Sequence, residues 1–243
     1  CDALAAEGLA VSALYVHSLK DPAAAGLVRA EIAEAPPAVI LNATGFATSA
    51  PGRAAAGPFG PADCPVLQVI LAGVTEAAWR EGGGGLGPRV LAMNVSLPEI
   101  DGRILARAVA FKQLHRDAAT QCDLARLGAV PDRIAFTARL AAGWARLRRT
   151  PAGERRVALV LANYPHRDGR LGNGVGLDTP AAAADILAAL AKAGYDVADP
   201  PGDGAALMRA LLAGVTNAPA PDRVVRASLA LAEYRAWCAT LPA

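Results

Sequence analysis

The sequence lacks a long apolar run, a strong charge of either sign and a secretion signal. No stretch reaches the roughly eighteen apolar residues that a membrane-spanning helix requires. Lys and Arg total 24 against 22 Asp and Glu, so the overall charge gives no reason to bind nucleic acid or an anionic membrane surface. The first residues contain no basic segment followed by an apolar core. We therefore expect a cytoplasmic protein without a membrane span.

Cysteine is scarce and scattered. Cys1, Cys64, Cys122 and Cys238 are far apart and form no C-x-x-C pair, which disfavours a zinc site or a disulfide framework and predicts buried, reduced thiols. The chain begins with Cys and not with Met, so we expect an internal fragment of a longer protein. The G-x-G-x-x-G at 82–87 follows a predicted helix instead of a strand, and no Gly-Lys-Ser/Thr is present, so a nucleotide-binding enzyme is disfavoured.

Apolar runs and helical patterns alternate along the chain. With 53% apolar residues in a length of 243, the chain can bury a sizeable core. The alternation predicts an α/β fold with parallel strand-helix-strand units in two halves, 1–150 and 151–243. The predicted strands are 9–16, 38–41, 66–72, 104–111, 157–162 and 195–197. The predicted helices are 22–35, 75–81, 131–149, 179–193, 203–212 and 222–240, with helical composition from residue 117 onwards and N-caps at Asp21, Thr75 and Thr179.

The loop at 163–178 is the first candidate site. It is longer than the usual strand-to-helix connection of about two to six residues, and it follows a predicted parallel strand at the sheet edge where such folds bind ligands. The run 172–176 alternates glycine with other residues, so bare N–H groups and the next helix N-terminus would favour a carboxylate or phosphate. His166 and Arg167 precede the glycines and would supply a proton carrier and a cation. An ordinary flexible surface loop is the alternative.

The second candidate site lies at 93–103, where Glu99 and Asp101 are two residues apart. In extended backbone their carboxylates would point to the same side. A solvated turn with a capping Asp is the alternative. In addition, Asn42 and Thr44 follow the second predicted strand directly and lie at its carboxyl end.

Several runs of the sequence resemble one protein family. They are MNVSLPEIDGR at 93–103, NYPHRDGRLGNGVGLDTP at 163–180, SLKDP at 18–22, ILNATGFA at 40–47 and PVLQVILAG at 65–73. They resemble the large subunits of ATP-dependent metal chelatases, the family that contains the large subunit of aerobic cobaltochelatase and the H subunit of magnesium chelatase. The glycine loop resembles the cobalt branch more than the magnesium branch.

The resemblance implies a tetrapyrrole-binding subunit of an enzyme that forms nitrogen–metal bonds. In the cobalt branch it inserts Co(II), as a substrate metal, into hydrogenobyrinic acid a,c-diamide. Two smaller subunits, one of them an AAA+ ATPase that uses ATP-Mg, drive the insertion, and we expect this fragment alone to be inactive. The alternatives are a magnesium-branch subunit that inserts Mg into protoporphyrin IX, and a non-catalytic module that docks the tetrapyrrole or a partner subunit.

The resemblance also implies roles for individual residues. Glu99 and His166 would accept a ring proton or transiently ligate Co(II), with Asp101 oriented beside Glu99. The carboxylates of the macrocycle would suit glycine N–H groups and three cations, Arg103, Arg167 and Arg170. Further substrate-binding candidates are Asn42, Thr44, Asn94, Asn163, Asn173, Gly174, Gly176 and Asp178. We expect the loop at 163–178 to form one wall of a cleft, with Glu99 on the facing wall.

Overall fold

The computed structural model describes residues 1–48, 57–83, 85–162, 168–216, 223–225 and 227–241. The chain divides into two compact units, Cys1–Arg149 and Thr150–Ala243. The first unit contains a β-sheet with helices, and the described part of the second unit contains helices and irregular segments.

The first unit is built on a four-stranded sheet. Its strands are β1 (Ile40–Asn42), β2 (Val66–Ala72), β3 (Ile104–Arg116) and β4 (Asp123–Ala129), in that spatial order. β1, β2 and β3 are parallel, and β4 is antiparallel to β3. The predicted α/β class with a mainly parallel sheet is confirmed. The predicted helical structure at 117–130 is wrong, because the chain turns back after β3 and β4 pairs with β3; this pairing overrides the local helical propensity. The helix predicted at 131–149 is confirmed.

The helices of the first unit include two that begin at side-chain caps predicted from the sequence. The helices are α1 (Asp2–Ala6), α2 (Pro22–Glu34), α3 (Glu76–Glu81), α4 (Pro88–Leu91), a π-helix (Ala92–Ser96), α5 (Leu97–Ile100) and α6 (Pro131–Arg149). The carboxylate of Asp21 accepts a hydrogen bond from the N–H of Ala24 (2.8 Å) at the start of α2. The hydroxyl of Thr75 accepts one from the N–H of Ala78 (3.2 Å) at the start of α3. Both caps confirm the prediction from sequence.

Two apolar clusters form the core of the first unit. The first cluster consists of sheet residues and the residue before α6, namely Ile70, Ala72, Ala108, Phe111 and Val130. The second cluster lies around α2 and consists of Leu19, Val28, Ile32 and Ala62. Burial of these side chains drives the folding of the unit.

The shortness of β1 determines which segments of the first unit meet. β1 ends at Asn42, which pairs with Gln68 inside β2, and Gln68 pairs in turn with Leu105 near the start of β3. The carboxyl end of β1 therefore lies level with the amino end of β3. Parallel strands of equal length would place these two ends on opposite sides of the sheet. This register brings the segment after β1 next to the segment before β3.

The second unit contains α7 (Thr179–Lys192), α8 (Gly204–Leu212) and α9 (Leu231–Cys238). Val157, Leu159 and Leu161 line a cavity of about 390 Å³ together with side chains of α7 and α8. Alternate residues of this segment thus face the helices, whereas Val160 is 91% exposed. Within the described ranges, no helix is long and apolar enough to cross a membrane.

Three predicted strands are absent from the part of the chain that the structure describes. The residues at 9–16, 157–162 and 195–197 are not part of any strand ladder among the described residues, and several of their apolar side chains are exposed. Alternation of apolar residues is typical of a strand, but a strand also requires a hydrogen-bonded neighbour. The last predicted helix, 222–240, is also too long, since α9 covers eight residues.

The cysteines differ from the prediction of buried thiols. Cys1 and Cys122 are exposed, Cys64 and Cys238 are half-buried, and all four are free. Exposure follows from their positions, because Cys1 precedes the first helix and Cys122 lies in the connection between β3 and β4. Partial burial raises the pKa of the Cys64 thiol.

Candidate functional site

A hydrogen-bonded cluster of polar side chains lies at the end of β1. The Asn42 amide Nδ2 donates to Gln68 Oε1 (2.8 Å) and to the Thr44 carbonyl oxygen (3.0 Å). The Thr44 hydroxyl donates to Asn42 Oδ1 (2.9 Å). The Gln68 amide Nε2 donates to the same Thr44 carbonyl oxygen (2.9 Å). Asn42 and Gln68 are buried, so these bonds satisfy groups that bulk water does not reach.

Asp101 and Arg103, from the segment before β3, extend this cluster. Arg103 Nη2 donates to Asp101 Oδ2 (2.8 Å), and the two side chains are only 1% and 7% exposed. Arg103 Nη1 donates to the Thr44 carbonyl oxygen (3.2 Å) and to Gln68 Oε1 (3.3 Å). Thr48 donates to Asp101 Oδ2 from its N–H (2.8 Å) and its hydroxyl (2.9 Å). The buried polar network is defined as Asn42, Thr44, Thr48, Gln68, Asp101 and Arg103.

The Thr44 carbonyl oxygen is the centre of the buried polar network. It accepts hydrogen bonds from three side chains, those of Asn42, Gln68 and Arg103. The carboxylate of Asp101 meanwhile holds Thr48, the last described residue of this segment. Because both ends of the segment 44–48 are bound to buried groups, its backbone position is strongly determined by the network.

Arg103 is therefore an internal residue in this structure. Desolvation lowers the pKa of its guanidinium, and the charge and hydrogen bond of Asp101 oppose that effect. Its Nε has no hydrogen-bond partner among the described residues, and the Phe59 ring centroid lies 5.7 Å from its Cζ. In this environment Arg103 holds the segment 44–48 from inside the first unit, and its role as a substrate contact stays a prediction.

Glu99 and Asp101 do not share one side of an extended segment. Leu97–Ile100 form α5, and the chain then turns through Asp101 and Gly102, whose φ is +73°. Because successive helical residues point about 100° apart and the turn follows immediately, the two carboxylates separate. Glu99 is exposed, whereas Asp101 is bound in the buried polar network.

The π-helix before α5 contacts the segment after β1. The N–H of Phe46 donates to the Met93 carbonyl oxygen (2.7 Å). A Cβ at Gly45 would lie 3.1 Å from Asn94 Oδ1, so glycine allows this close approach. Asn94 donates in turn to the Val90 carbonyl oxygen (3.2 Å). π-Helices are rare and occur often at functional sites. This one belongs to the candidate segment 93–103 and connects it by a hydrogen bond to the segment after β1.

The glycine-rich loop of the second unit is folded on itself. Gly172 and Gly176 have φ values of +66° and +73°, which glycine adopts at little cost. The Gly172 N–H donates to the Ala162 carbonyl oxygen (2.8 Å), and the Asn173 N–H donates to that of Arg170 (3.2 Å). Two amides of the predicted anion-binding run therefore already have backbone acceptors, at Ala162 and Arg170.

Asp178 caps α7, where the sequence predicted Thr179 as the cap. Its carboxylate accepts a hydrogen bond from the N–H of Ala181 (3.1 Å). Asp is at least as good a cap as Thr, and its negative charge also complements the helix dipole. The N-terminus of α7 therefore attracts an external anion less strongly than the sequence indicated.

Three predicted site residues lie outside the described residues: Asn163, His166 and Arg167. Their roles stay predictions. Of the loop residues that are described, Asn173 is exposed and Gly174 forms a β-bridge with Leu177. In the described part of the chain, no three His, Cys, Asp or Glu side chains are grouped so that they could hold a metal ion.

Gln68 has no counterpart among the predicted site residues. It lies within the apolar run of β2 and is 1% exposed. Its amide accepts from Asn42 and Arg103 and donates to Thr44. One feature of the sequence could have indicated its role: Gln68 is the single amide in an otherwise apolar strand. A buried amide requires hydrogen-bond partners, so its presence there predicts a polar cluster.

The whole chain, residues 1–243, matches the family model described as CobN/Magnesium Chelatase. The chain is 49% identical over 243 residues to aerobic cobaltochelatase subunit CobN of Sinorhizobium sp. and 47% identical over 245 residues to that of Pseudomonas aeruginosa. These matches cover 99% and 100% of the chain but 19% and 20% of the relatives. The chain thus spans about a fifth of the length of these relatives.

More distant and structural similarities agree with this match. The magnesium-chelatase H subunit of Rhodobacter capsulatus is 27% identical over 171 residues, which cover 66% of the chain and 14% of that protein. The solved catalytic subunit of cobaltochelatase from Mycobacterium tuberculosis superposes with a TM-score of 0.75 at 33% identity. That superposition covers 100% of the chain and 20% of the solved structure.

Proposed function

This chain belongs to the CobN/magnesium chelatase family, and on that basis we propose that it is a segment of the large subunit of an aerobic, ATP-dependent cobaltochelatase. The observation that carries the proposal is the identity of 49% and 47% to two CobN subunits over almost the whole chain. The magnesium-chelatase H subunit reaches 27% over 66% of the chain. The proposed reaction inserts Co(II) into hydrogenobyrinic acid a,c-diamide, and two smaller subunits, one an AAA+ ATPase that uses ATP-Mg, drive it.

Metal insertion makes three demands on the protein. Water must be removed from the divalent ion, protons must leave the ring nitrogens, and a flat macrocycle with peripheral carboxylates must be held in place. Glu99 suits the first two demands because it is an exposed carboxylate that can accept a proton and offers Co(II) an oxygen donor. It follows the π-helix, which is hydrogen-bonded to the segment after β1.

The buried polar network serves the third demand indirectly. Asp101 and Arg103 act as positioning residues, because their side chains are buried and fix the segment 44–48. Asn42 and Thr44 act through the same hydrogen bonds. Asn94 lies at the contact between the π-helix and that segment and would hold the macrocycle by hydrogen bonding.

In the second unit, the proposal rests on the sequence motif. His166 would be a second proton acceptor or transient Co(II) ligand, and Arg167 would pair with a carboxylate of the macrocycle. The further substrate-binding candidates of this loop are Asn163, Asn173, Gly174, Gly176 and Asp178. Exposure of Asn173 supports its inclusion, whereas the capping hydrogen bond of Asp178 competes with a ligand contact.

The proposed function is tested with the full-length subunit, its two smaller partners, ATP-Mg, Co(II) and hydrogenobyrinic acid a,c-diamide. Glu99→Gln should leave tetrapyrrole affinity unchanged and slow insertion at least about tenfold, or about 1.4 kcal/mol of barrier. The control is Glu81→Gln, which alters an exposed carboxylate at the end of α3.

Each outcome has a separate meaning. Normal insertion by Glu99→Gln would remove Glu99 from the mechanism. Tetrapyrrole binding by the wild-type subunit without any insertion would favour the docking module. Insertion of Mg into protoporphyrin IX in place of cobalt insertion would assign the chain to the magnesium branch.

A further inference from the structure

We propose that Phe46 and Lys20 form a contact site for the tetrapyrrole. The ring of Phe46 stacks on the flat macrocycle, and the ammonium group of Lys20 pairs with a peripheral carboxylate. The inference rests on the proposed function and adds to it two residues that belong neither to the buried polar network nor to the predicted site.

The backbone of Phe46 is held in an unusual conformation. Its φ is +64°, a region that bulky residues rarely adopt because the side chain crowds the backbone. The N–H of Phe46 donates to the Met93 carbonyl oxygen (2.7 Å), and Gly45 packs closely against Asn94. The carbonyl of Thr44, two residues earlier, is fixed by three side chains. The surrounding structure therefore imposes this conformation.

The imposed conformation does not bury the ring. Phe46 is 46% exposed and lies outside both apolar clusters of the first unit. The next residue, Ala47, is buried and anchors the chain beside it. Conformational free energy is thus spent on holding a large aromatic ring at the surface, which is the arrangement expected of a ligand contact and not of a core residue.

Lys20 is held next to this ring. Its Nζ lies 5.7 Å from the centroid of the Phe46 ring. Leu19 is buried in the core around α2, and the Lys20 N–H donates to the Ser18 hydroxyl (3.2 Å), so the backbone at Lys20 is anchored. None of the ion pairs formed by the described residues includes Lys20. Its ammonium group therefore remains available to an external carboxylate.

The pair matches the chemistry of a carboxylate-bearing macrocycle. A flat ring system gains free energy by stacking on an aromatic side chain, and a cation next to the same side chain pairs with the peripheral carboxylates. A free phosphate or a simple carboxylate would need the cation but not the ring. The strained presentation of Phe46 thus favours a ligand with an extended flat face.

The test measures binding of hydrogenobyrinic acid a,c-diamide to the full-length subunit by absorption titration. Phe46→Leu should raise Kd about tenfold, whereas Phe46→Tyr should stay within about threefold of the wild type. Phe46→Gly accepts the positive φ without strain and should lose binding as Phe46→Leu does. The control is Tyr15→Leu, which removes an aromatic ring that is 97% exposed. Wild-type affinity in Phe46→Leu would overturn the inference.

The role of Lys20 is tested with two forms of the ligand. Lys20→Met should weaken binding of the free carboxylate form about tenfold and leave binding of its methyl ester unchanged. Lys20→Arg should retain binding of the carboxylate form, since it keeps the charge. An equal loss for both forms would show that Lys20 does not pair with a carboxylate.

Failure of this inference is distinguishable from failure of the proposed function. If the wild-type subunit does not bind the tetrapyrrole, the proposed function fails. If the wild type binds and the Phe46 and Lys20 variants bind equally well, only the inference fails. If these variants bind the tetrapyrrole normally but no longer assemble with the smaller subunits, the surface is a protein contact and the inference is overturned.

Discussion

The buried polar network of the first unit and the glycine-rich loop of the second unit are built in opposite ways. The network joins side chains from residues far apart in the chain, such as Asp101 with Thr48 and Arg103 with Gln68, and it excludes water. The described part of the loop is held by hydrogen bonds between backbone groups close in sequence, such as the Gly172 N–H and the Ala162 carbonyl oxygen, and Val175 is 100% exposed. The buried polar network determines the position of the segment 44–48, whereas the described loop residues are largely exposed at the surface themselves.

The largest expected effect is that of Asp101→Ala. It leaves the buried guanidinium of Arg103 without its counter-ion and should lower the free energy of unfolding by about 3–5 kcal/mol. Urea denaturation of the chain measures this change, with Asp2→Ala in the exposed helix α1 as the control. Addition of Arg103→Met to Asp101→Ala should recover part of the loss. If Asp101→Ala lowered the free energy of unfolding by less than about 1 kcal/mol, the ion pair would behave like an exposed one, and the contrast between the buried network and the exposed loop would be wrong.

The second largest effect is expected at Gln68, which was not among the predicted site residues. Gln68→Leu removes the acceptor of Asn42 Nδ2 and one donor to the Thr44 carbonyl oxygen. Because these groups stay buried, we expect a loss of about 2 kcal/mol in the free energy of unfolding. Gln113→Leu, at an exposed position of β3, should cost less than about 0.5 kcal/mol. Equal losses in the two variants would show that burial of the network is not the cause.

Loss of a carboxylate from the glycine-rich loop should destabilise the protein less than loss of Asp101 from the network. Asp178→Ala removes the cap of α7 and should cost about 1 kcal/mol, while Asp178→Asn should retain most of the stability. Hydrogen exchange at the Ala181 amide reports the loss directly, because this N–H donates to the cap. A cost as large as that of Asp101→Ala would mean that Asp178 belongs to a larger buried cluster.

The smallest expected effect is a pH dependence at Asp117, in the connection between β3 and β4. Hydrogen bonds from the N–H and the hydroxyl of Thr120 lower the pKa of this carboxylate. A lowered pKa in the folded state means stability that is present above the unfolded pKa of about 3.9 and is lost as the pH falls through the folded value. An NMR titration should show the pKa of Asp117 rising in Thr120→Val. An unchanged value would assign the lowering to another cause.

Local signals explain most of the features that sequence reasoning predicted correctly. The caps Asp21 and Thr75 need only their own helices, so α2 and α3 follow from a few residues. The apolar runs of β1, β2 and β3 are likewise visible without partners. By contrast, β4 exists only because β3 pairs with it, and the segment 157–162 is apolar but has no paired neighbour among the described residues.

The candidate site also combines features that local sequence predicts with features that depend on long-range contacts. Asn42, Thr44, Asp101 and Arg103 are predictable as polar residues at the ends of strands, but their mutual contacts depend on the register of β1 against β2. That register is a long-range property, and so is the burial of Arg103 beside Asp101. Phe46 was invisible for another reason, since no pattern of residue types indicates a positive φ at a phenylalanine.

The π-helix at Ala92–Ser96 lies between two fixed points of the chain. Its start is tied to Phe46 through Met93, and the chain after α5 is tied to the sheet through Asp101 and Arg103. Hydrogen bonds in a π-helix span five residues in place of the four of an α-helix, so its wider turn takes up one additional residue. The segment between these two fixed points can therefore be one residue longer than an α-helix would allow, independently of the identity of any side chain within it.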